Sequence, residues 1–530
     1  MWQGKRTLGR GRVAVPPTDL PSMEANFPST AVEALRGELQ GSIVLAGDDN
    51  YHLTRQGFVV NYQAFPQIIV YCQVARDVAM ALAFARRWKL SPVCRSGGHN
   101  AAGYAVNDEM VIDLSPMSYV VVDSKHKLAT VGAGTTFGRL NATLETFGLH
   151  LPGGGCDDVA IAGYMQGGGF GFTSQLYGMN CDCVREALVM LADGSLVVAS
   201  EACNRDLFWA IRGGTGNNFG VLIEVTYQLV DTGPLWGFGV NWTIGRRGET
   251  AGQVAAAIES LQNGFTGAAA PPGLGHQSSL NFNDGEPYLY VRGIYAGTPE
   301  DGKQLIQPLL RTEGADFDID KIGAYNELND YLNSNPDVPQ ISPHTRTEAD
   351  SRYTERELSR FEWLKLIELF VRSPNQANFI CLEGYGGAIR AVDPAATAFR
   401  HRRALFDVYS WIFWQSEEEE AASLAFLEDF RRVLTPLSNG HAYQNYPNRR
   451  NQDYRRMYWG ESYPRLASVK QKYDRDNLFR FGQTVSPAPG LQAHPSVPAR
   501  DRSDLDKPIE RLAKGRAGLV TEQTPGHAQK

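Results

Sequence analysis

Two side chains that can act as nucleophiles, the imidazole of His99 and the thiol of Cys156, stand in glycine-rich segments of this chain. His99 ends the run Arg95-Ser96-Gly97-Gly98-His99, and Cys156 follows Gly153-Gly154-Gly155. Glycine runs let a bulky group approach the backbone, because they expose N–H groups and tolerate positive φ. The pattern suggests two covalent tethers for one prosthetic group. Taken separately, a histidine such as His99 is most often a loop or core residue, and a cysteine such as Cys156 is more often an inert buried thiol.

A third glycine turn, Arg212-Gly213-Gly214-Thr215-Gly216, lies further along the chain. None of the three matches the spaced Gly-x-Gly-x-x-Gly that opens a helix in a nicotinamide-binding unit. Ordinary turns alone can explain a single glycine cluster. Three clusters in one half of the chain, two of them holding a His or Cys, favour a cofactor that carries phosphate.

The composition is that of a globular protein with two domains, and it excludes several classes of function. The 530 residues exceed what one hydrophobic core usually organises. With 51 basic and 58 acidic residues the net charge is −7, which argues against nucleic-acid binding. No apolar run approaches the roughly 18–20 residues of a membrane span. We expect no metal site, because Cys181-Asp182-Cys183 is too tightly spaced for a zinc knuckle.

The cysteines and the N-terminus bear on the cellular compartment. Seven cysteines without the spacing of a disulfide framework fit a reduced compartment. No apolar stretch follows the positively charged start of the chain, so no secretory signal is visible. We therefore expect a cytoplasmic protein.

Hydrophobic periodicity divides the chain into segments. Residues 1–40 are rich in Pro, Gly and Arg and indicate a loosely ordered lead. A β-α-β unit follows, with strands at 68–71 and 92–94 around a helix at 74–88. From about Trp236, long strand-like runs alternate with helices, which predicts an antiparallel sheet covered by helices on one face. The tail 487–530 lacks periodicity and is predicted to be disordered. Further strands are predicted at 110–114, 119–122, 128–131, 184–191, 195–199, 288–295 and 404–414, and further helices at 137–147, 355–370 and 417–434.

The motifs in combination resemble a known family. They comprise Arg95 to His99 with Gly103, 111–114, 153–171, 206–214 with 218–221, 443–446, 459–466, and 473–479 with Gln483. Over roughly residues 45–486 the chain is similar to the flavin-linked oxidases of the berberine bridge enzyme-like group, within the vanillyl-alcohol oxidase superfamily. The resemblance implies an α+β fold. A PCMH-type FAD-binding domain of two α/β subdomains would comprise 41–235, with 440–486 returning to it, and a substrate domain would span 236–439.

The resemblance also implies FAD as the cofactor, bonded through its 8α-methyl to His99 and through C6 to Cys156. Val159 falls where the family places a side chain beside the oxygen-reactive carbon of the flavin, and valine there indicates access for oxygen. A β-branched core residue would explain Val159 equally and predict nothing about oxygen. Tyr164 stands where many plant relatives have histidine. The other residues implied to contact FAD are Arg95, Ser96, Gly97, Gly98, Asn100, Gly103, Gly155, Asp157, Gly163, Gly167, Gly168, Gly171, Gly220, Val221, Tyr443 and Asn445.

Tyr446 is the candidate catalytic base. Oxidation of an alcohol carbon requires an acceptor for the O–H proton as hydride leaves for the flavin. Free tyrosine titrates near 10, so the pKa of Tyr446 must be depressed or its proton relayed. Sugar-oxidising members of the family pair this tyrosine with an acid before a Tyr-Gly-Gly turn, which here is Glu383. Glu383 would receive the phenolic proton, or a cation such as Arg292 or Arg449 would offset its charge. An exposed Glu383 at a strand end and a core Tyr446 are the plain structural alternatives.

Two departures from the family pattern bear on the substrate. Pro447-Asn448 stands where an acid usually lies two places after the tyrosine, and Cys381 replaces a glutamine that touches sugar. Both weaken the assignment to a sugar specifically. Tyr290, Arg292 and Cys381 are the candidate substrate contacts.

The sequence therefore predicts an FAD-linked oxidase that acts on a hydroxyl group of a carbohydrate or another small alcohol or phenolic compound. Molecular oxygen would be reduced to hydrogen peroxide, and the protein would be a monomer or a weak homo-oligomer. A secondary-metabolite tailoring oxidase that abstracts hydrogen from carbon, or a dehydrogenase with another electron acceptor, remains open. So does a binding or storage protein that has kept the fold alone. A hydrolase with Cys156 as nucleophile lacks a convincing His and Asn or Asp partner arrangement.

Overall fold

A computed structural model of the chain describes residues 25–333 and 346–488. The predicted lead, 1–40, differs in its last part, because Ser29–Glu38 forms helix α1 and buries Val32 and Leu35. Residues 1–24 lie outside the described ranges, as does the predicted disordered tail from residue 489 on. Within the described ranges no helix is both long and apolar enough to cross a bilayer.

The first sheet contains the predicted β-α-β unit. Its four strands lie in the order β1-β2-β4-β3, with β2 and β3 both parallel to β4 and β1 antiparallel to β2. Helix α3 (Ala75–Trp88) connects β2 to β3 and buries Val78, Ala81, Leu82 and Ala85, which are spaced to share one helical face. The run around His99 therefore begins where β3 ends, at the carboxyl edge of parallel strands. These strands are β1 (Ser42–Leu45), β2 (Ile68–Tyr71), β3 (Pro92–Arg95) and β4 (Met110–Asp113).

The second sheet is antiparallel and has the order β5-β6-β10-β8-β9. Its β8–β9 hairpin turns at the predicted Asp193-Gly194, where Gly194 has φ +86°. The strands are β5 (Val120–Asp123), β6 (Leu128–Gly132), β8 (Val184–Met190), β9 (Leu196–Ser200) and β10 (Val221–Gln228), and a separate pair is formed by β7 (Leu149–His150) and β11 (Val230–Asp231).

The third sheet is the predicted antiparallel sheet, with seven strands in the order β15-β12-β14-β13-β17-β18-β16. Because side chains alternate across a strand, Ile380 and Leu382 face one side while Cys381 and Glu383 face the other. The Leu382 side forms a hydrophobic core with helices α8, α12 and α14. The Glu383 side, called here the inner face, contacts the C-terminal segment through Tyr446. The strands are β12 (Leu235–Thr243), β13 (Leu274–Asn283), β14 (Glu286–Tyr295), β15 (Asp316–Gly323), β16 (Arg346–Thr354), β17 (Phe379–Gly384) and β18 (Phe406–Trp414).

The helices complete the fold. The helix predicted at 417–434 is α14 (Glu417–Leu434), whereas the one predicted at 355–370 is α12 (Arg360–Val371). Ser359 caps α12: its hydroxyl accepts from Glu362 N–H, and the Glu362 carboxylate accepts from Ser359 N–H at 2.8 Å. The remaining helices are α2 (Tyr51–Thr54), α4 (Phe137–Glu145), α5 (Ile161–Gln166), α6 (Ser174–Tyr177), α7 (Arg205–Ala210), α8 (Ala251–Phe265), α9 (Pro299–Leu305), α10 (Gln307–Leu310), α11 (Tyr325–Asn333), α13 (Gly387–Ala391), α15 (Tyr454–Trp459) and α16 (Tyr463–Tyr473), with 3₁₀ turns at Asn180–Cys183, Thr435–Leu437 and Gly460–Ser462.

The stretch after residue 440 packs against the first part of the chain. The side chains of Gln444 and Trp459 both donate to the carbonyl of Gly213, each at 3.0 Å. The buried Lys470 ammonium donates to the carbonyl of Asn218 at 2.7 Å and to the Asp474 carboxylate at 2.6 Å. These contacts carry Tyr443 to Tyr446 to the glycine loops.

Candidate active site

The segments that carry His99 and Cys156 touch each other. Nε2 of His99 lies 2.9 Å from Oδ2 of Asp158, two residues past the cysteine. A Cβ on Gly97 would lie 2.9 Å from the nitrogen of Ala160, so only glycine permits this approach of the two backbones. Phe58 stacks on the imidazole of His99 with ring centroids 4.2 Å apart. The predicted pair therefore lies in one site.

Loop 95–99 is anchored at its start. The buried Arg95 guanidinium binds the buried Asp113 carboxylate, with Nε and Oδ2 2.5 Å apart. Ser96 and Gly98 continue the loop, and Gly98 has φ +74°. After His99, the side-chain oxygen of Asn100 accepts from the backbone N–H of Tyr104 at 3.0 Å and so closes the turn that contains Gly103.

Loop 153–159 is held by helix α11. Asn329 and Asn333 donate from their amides to the carbonyl of Gly155, at 3.2 and 3.4 Å. Cys156 is exposed at the surface, yet the surrounding protein desolvates its thiolate. This desolvation, followed by the negative charge of Asp158, raises the pKa of the Cys156 thiol to about 11, although Arg292 acts in the opposite direction.

The glycine run after Cys156 packs against the C-terminal segment. A Cβ added to Gly167 would lie only 1.8 Å from Oδ1 of Asn445, so the Asn445 amide packs directly against this glycine. Nδ2 of Asn445 donates to the carbonyl of Tyr164 at 2.9 Å. The hydroxyl of Tyr443 accepts from Gly169 N–H at 2.8 Å. These contacts bring Tyr443 and Asn445 to this run, and their contact with FAD stays a prediction.

The remaining predicted cofactor residues fall into two groups. Asp157, Val159, Gly163, Gly168 and Gly171 lie in or directly after the cysteine loop. Val159 is half-buried. A Cβ added to Gly163 would point into open space, with no heavy atom of a non-neighbouring residue within 4 Å. Gly220 and Val221 instead stand at the start of β10, where Val221 pairs with Met190.

Tyr446 and Glu383, the predicted catalytic pair, are in contact. The phenol of Tyr446 donates to Oε1 of Glu383 at 2.7 Å, and Oε2 of Glu383 is buried with no hydrogen-bond partner among the described residues. Glu383 is 2% exposed, so it is not the exposed carboxylate of the alternative interpretation. Burial, followed by the charge of Glu383, raises the pKa of Tyr446 well above its usual range. The phenol is therefore protonated at neutral pH, and of the two predicted ways to use it only the relay remains.

A second buried carboxylate stands beside Glu383. Asp407 on β18 is paired directly with Glu383 on β17, and both side chains lie on the inner face. Burial, followed by repulsion from Asp407, raises the pKa of Glu383 well above its usual range, while hydrogen bonds from Tyr446 and Gln277 lower it. Burial also raises the pKa of Asp407 to about 8. The two carboxyls thus titrate as a pair and hold protons at a higher pH than free carboxyls do.

Of the two cations predicted to offset the charge of Glu383, one is linked to it and the other is not. Arg292 reaches it through an amide: Nη2 of Arg292 donates to Gln277 at 3.3 Å, and Gln277 donates to Glu383 at 3.4 Å. Arg449 stacks over Tyr62 at 3.9 Å and donates to the carbonyl of Ala102. Arg449 is therefore engaged elsewhere, and no contact joins it to Glu383 in the described residues.

The candidate substrate contacts share the inner face. Tyr290, Arg292 and Cys381 are all buried, and Tyr290 and Arg292 lie two residues apart on β14. Burial raises the pKa of Cys381 to about 12, so its thiol is neutral. Nη1 of Arg292 donates to the carbonyl of Leu332 at 2.7 Å, which ties this strand to helix α11.

Several residues of the site were not identified from the sequence. Asp407, Tyr409 and Trp411 alternate along β18, and a lone carboxylate inside an apolar strand was the available signal. The Tyr409 ring lies 4.3 Å from that of Tyr446, while Trp411 lies 6.1 Å from Tyr446 and 6.4 Å from Phe58. An aromatic wall thus runs from the His99 loop to the catalytic pair.

The structure also supplies an acid near the departure at Asn448. Nδ2 of Asn448 donates to the Glu348 carboxylate on β16 at 3.4 Å, and the hydroxyl of Tyr62 donates to the same carboxylate at 3.0 Å. The tyrosine motif thus lacks its usual acid, but Glu348 of another strand lies next to it. Only the register of β16 could have placed it there.

Comparisons with known proteins agree with this geometry. The FAD binding domain model matches residues 66–200, and the berberine and berberine like model matches residues 442–486. The chain is an FAD-linked oxidoreductase that contains the two domains these family models describe. This oxidoreductase is 29% identical over 456 residues to the uncharacterised FAD-linked oxidoreductase YgaK of Bacillus subtilis, and the match covers 85% of this chain and 98% of that relative.

Solved structures show the same α+β fold. A carbohydrate oxidase from Microdochium nivale, in complex with a substrate analogue, has a TM-score of 0.77 at 26% identity, and the match covers 86% of this chain and 100% of that structure. A glucooligosaccharide oxidase from Acremonium strictum, described with a 6-S-cysteinyl, 8α-N1-histidyl FAD, has a TM-score of 0.77 at 21% identity, with 86% and 99% covered. The predicted fold class is confirmed.

The residues present fit FAD. Cys156 is exposed, and a Cβ added to Gly163 would meet open space. Asp158 contacts Nε2 of His99, so Nδ1 is the ring nitrogen that this contact leaves open to FAD. The described residues contain no cluster of three His, Cys, Asp or Glu side chains suited to a metal ion.

Proposed function

We propose that this enzyme carries FAD on two covalent bonds, to His99 and Cys156, and oxidises a hydroxyl group of a carbohydrate or another small alcohol or phenolic compound. Molecular oxygen is reduced to hydrogen peroxide. The observation that carries the proposal is the 2.7 Å hydrogen bond from Tyr446 to Glu383, because this pair can accept the proton of a substrate hydroxyl group.

Two observations support the covalent bonds. The loops that carry the imidazole and the thiol are in contact through His99 and Asp158. The glucooligosaccharide oxidase with the same fold is described with one cysteinyl and one histidyl bond to its FAD. We assign these two bonds to His99 and Cys156.

The proton chemistry is assigned to Tyr446 and Glu383. The flavin, when bound, supplies a hydride acceptor that oxygen can reoxidise. Tyr446 takes the hydroxyl proton of the substrate while it passes its own proton to Oε1 of Glu383, because a phenol with a raised pKa does not act as a preformed phenolate. The buried setting and Asp407 make the Glu383 carboxylate a stronger base than a free one. Glu383 therefore has to be ionised before each turnover.

The inner face offers the surface expected for a saccharide or a phenol. Tyr409 and Trp411 present aromatic faces, and Gln277 and Asn281 lie among polar residues of the neighbouring strand. Aromatic walls with a few placed polar groups are typical of small-molecule sites. The name of the carbohydrate oxidase relative points to the same class. Val159, half-buried directly after the cysteine loop, is proposed to leave oxygen access to the flavin.

A peroxide assay tests the activity. Purified protein would be supplied with oligosaccharides, simple alcohols and phenols while peroxide and oxygen are both followed. We expect peroxide in step with oxygen consumption for at least one class. Reduction of an artificial electron-acceptor dye without oxygen uptake would indicate a dehydrogenase instead, and turnover with none of these compounds would leave the storage or tailoring alternatives.

A further inference from the structure

Asp158 holds one edge of the His99 imidazole. Its Oδ2 lies 2.9 Å from Nε2, and Phe58 stacks on the ring at 4.2 Å with 28° between the planes. The His99 side chain is 19% exposed, whereas that of Asp158 is 57% exposed. The hydrogen bond from His99 also holds the pKa of Asp158 below its usual range, so the carboxylate is ionised at neutral pH.

This contact selects one tautomer of the ring. A neutral imidazole has one N–H, and an ionised carboxylate can only accept. The hydrogen must therefore sit on Nε2, which leaves the lone pair on Nδ1. Only a ring nitrogen with a free lone pair can form a bond to carbon.

We propose that Asp158 is a positioning residue for flavin attachment: it fixes His99 as the Nε2–H tautomer and makes Nδ1 the atom that bonds the 8α carbon of FAD. This inference rests on the proposed function, because it presumes a bond between His99 and the flavin. The histidyl N1 named for the glucooligosaccharide oxidase corresponds to Nδ1.

Asp158 would have a second role while the bond between His99 and FAD forms. The C8α–H bond breaks and the Nδ1–C8α bond forms, with two electrons passing to the flavin and on to molecular oxygen. The carbon-bound proton and the Nε2 proton appear in the hydrogen peroxide. Positive charge builds on the imidazole as its lone pair is used, and the Asp158 carboxylate stabilises that charge, as an aspartate does for histidine in a serine protease.

The test uses the Cys156→Ala protein, in which His99 is the one remaining attachment residue. Asp158→Asn in this background keeps the size of the side chain but removes the charge, and its amide can donate to Nε2 and so favour the wrong tautomer. We expect acid-stable flavin, measured on the His99 peptide by mass spectrometry over time after FAD is added, to form at least about tenfold more slowly. Asp158→Glu should restore the rate, and noncovalent flavin should still bind in all three proteins.

A matched control exists on the surface, where Nδ1 of His126 lies 2.7 Å from Oδ2 of Asp123. Asp123→Asn should leave the attachment rate unchanged. Attachment at the parent rate in Asp158→Asn would overturn the inference while the proposed function stands. Absence of acid-stable flavin in Cys156→Ala with Asp158 intact would instead overturn the proposed bond to His99.

Discussion

The phenol of Tyr446 donates to Glu383 across two segments that lie far apart in sequence, with 2.7 Å between the two oxygens. Tyr446 comes from the C-terminal segment that packs on the FAD domain, and Glu383 from the central sheet. The proton acceptor is thus assembled only when both parts of the chain come together.

Replacement of Tyr446 by Phe removes the phenolic oxygen that would accept the proton of the substrate hydroxyl. We expect flavin to stay attached while its reduction by substrate, followed by stopped-flow absorbance, slows by roughly 10²–10⁴-fold. The matched control is Tyr119→Phe, because the phenol of Tyr119 donates to the Glu224 carboxylate at 2.7 Å within the second sheet. Reduction of Tyr446→Phe at the parent rate would remove this residue from the mechanism.

Asp407→Asn tests the carboxyl pair. The negative charge of Asp407 raises the pKa of Glu383, so an amide at this position should lower it. Activity that needs ionised Glu383 is lost as pH falls through that pKa, and we expect the acid limb of kcat/KM to move to lower pH by about one unit. The maximal rate should also fall, because Glu383 becomes a weaker base. An acid limb that does not move would show that Asp407 leaves Glu383 unaffected.

Arg402 joins the central part of the chain to the FAD domain. Its Nη1 and Nη2 each lie 2.6 Å from a carboxylate oxygen of Asp182, and its side chain is buried. We expect Arg402→Ala to lower the free energy of unfolding by about 3–5 kcal/mol, because a buried carboxylate loses its partner. Arg432→Ala, at the exposed pair with Asp429, should change it by less than about 1 kcal/mol in denaturant titrations. Similar losses in both variants would contradict the argument.

Two buried histidines predict that the free energy of unfolding decreases in acid. Burial lowers the pKa of His150 to about 3 and that of His276 to about 4. The unfolded chain binds these protons near pH 6.5 and the folded chain does not, so their contribution to stability is complete above about pH 6.5 and is lost as pH falls. We expect the free energy of unfolding to drop between pH 7 and pH 5 by roughly 1–2 kcal/mol per histidine. His276→Gln should flatten this dependence, and an unchanged slope would count against it.

Much of the fold could be predicted from periodicity. The strands and helices predicted from the sequence, apart from the helix at 355–370, match observed elements with ends no more than two residues away. The helix at 355–370 was wrong at its start because the residues before the cap, 355–358, are all of types that favour helix. The Ser359-x-x-Glu362 capping box marks the true beginning of α12.

The site was less accessible to prediction, because its residues meet through strand register. The family motif pointed to Tyr446 and Glu383, and the two are in contact. Asp407 joins them only through the pairing of β17 with β18, which a single sequence does not specify. The contact of Asp158 with His99 likewise depends on how two loops fold against each other.

Covalent attachment of FAD at both His99 and Cys156 is the central claim, and one measurement tests it most directly. Purified protein would be denatured in acid, washed and digested, and the yellow peptides identified by mass spectrometry. We predict a single flavin that links the peptide containing His99 to the peptide containing Cys156. Free FAD in the acid supernatant, with both peptides recovered at their unmodified masses, would contradict the claim.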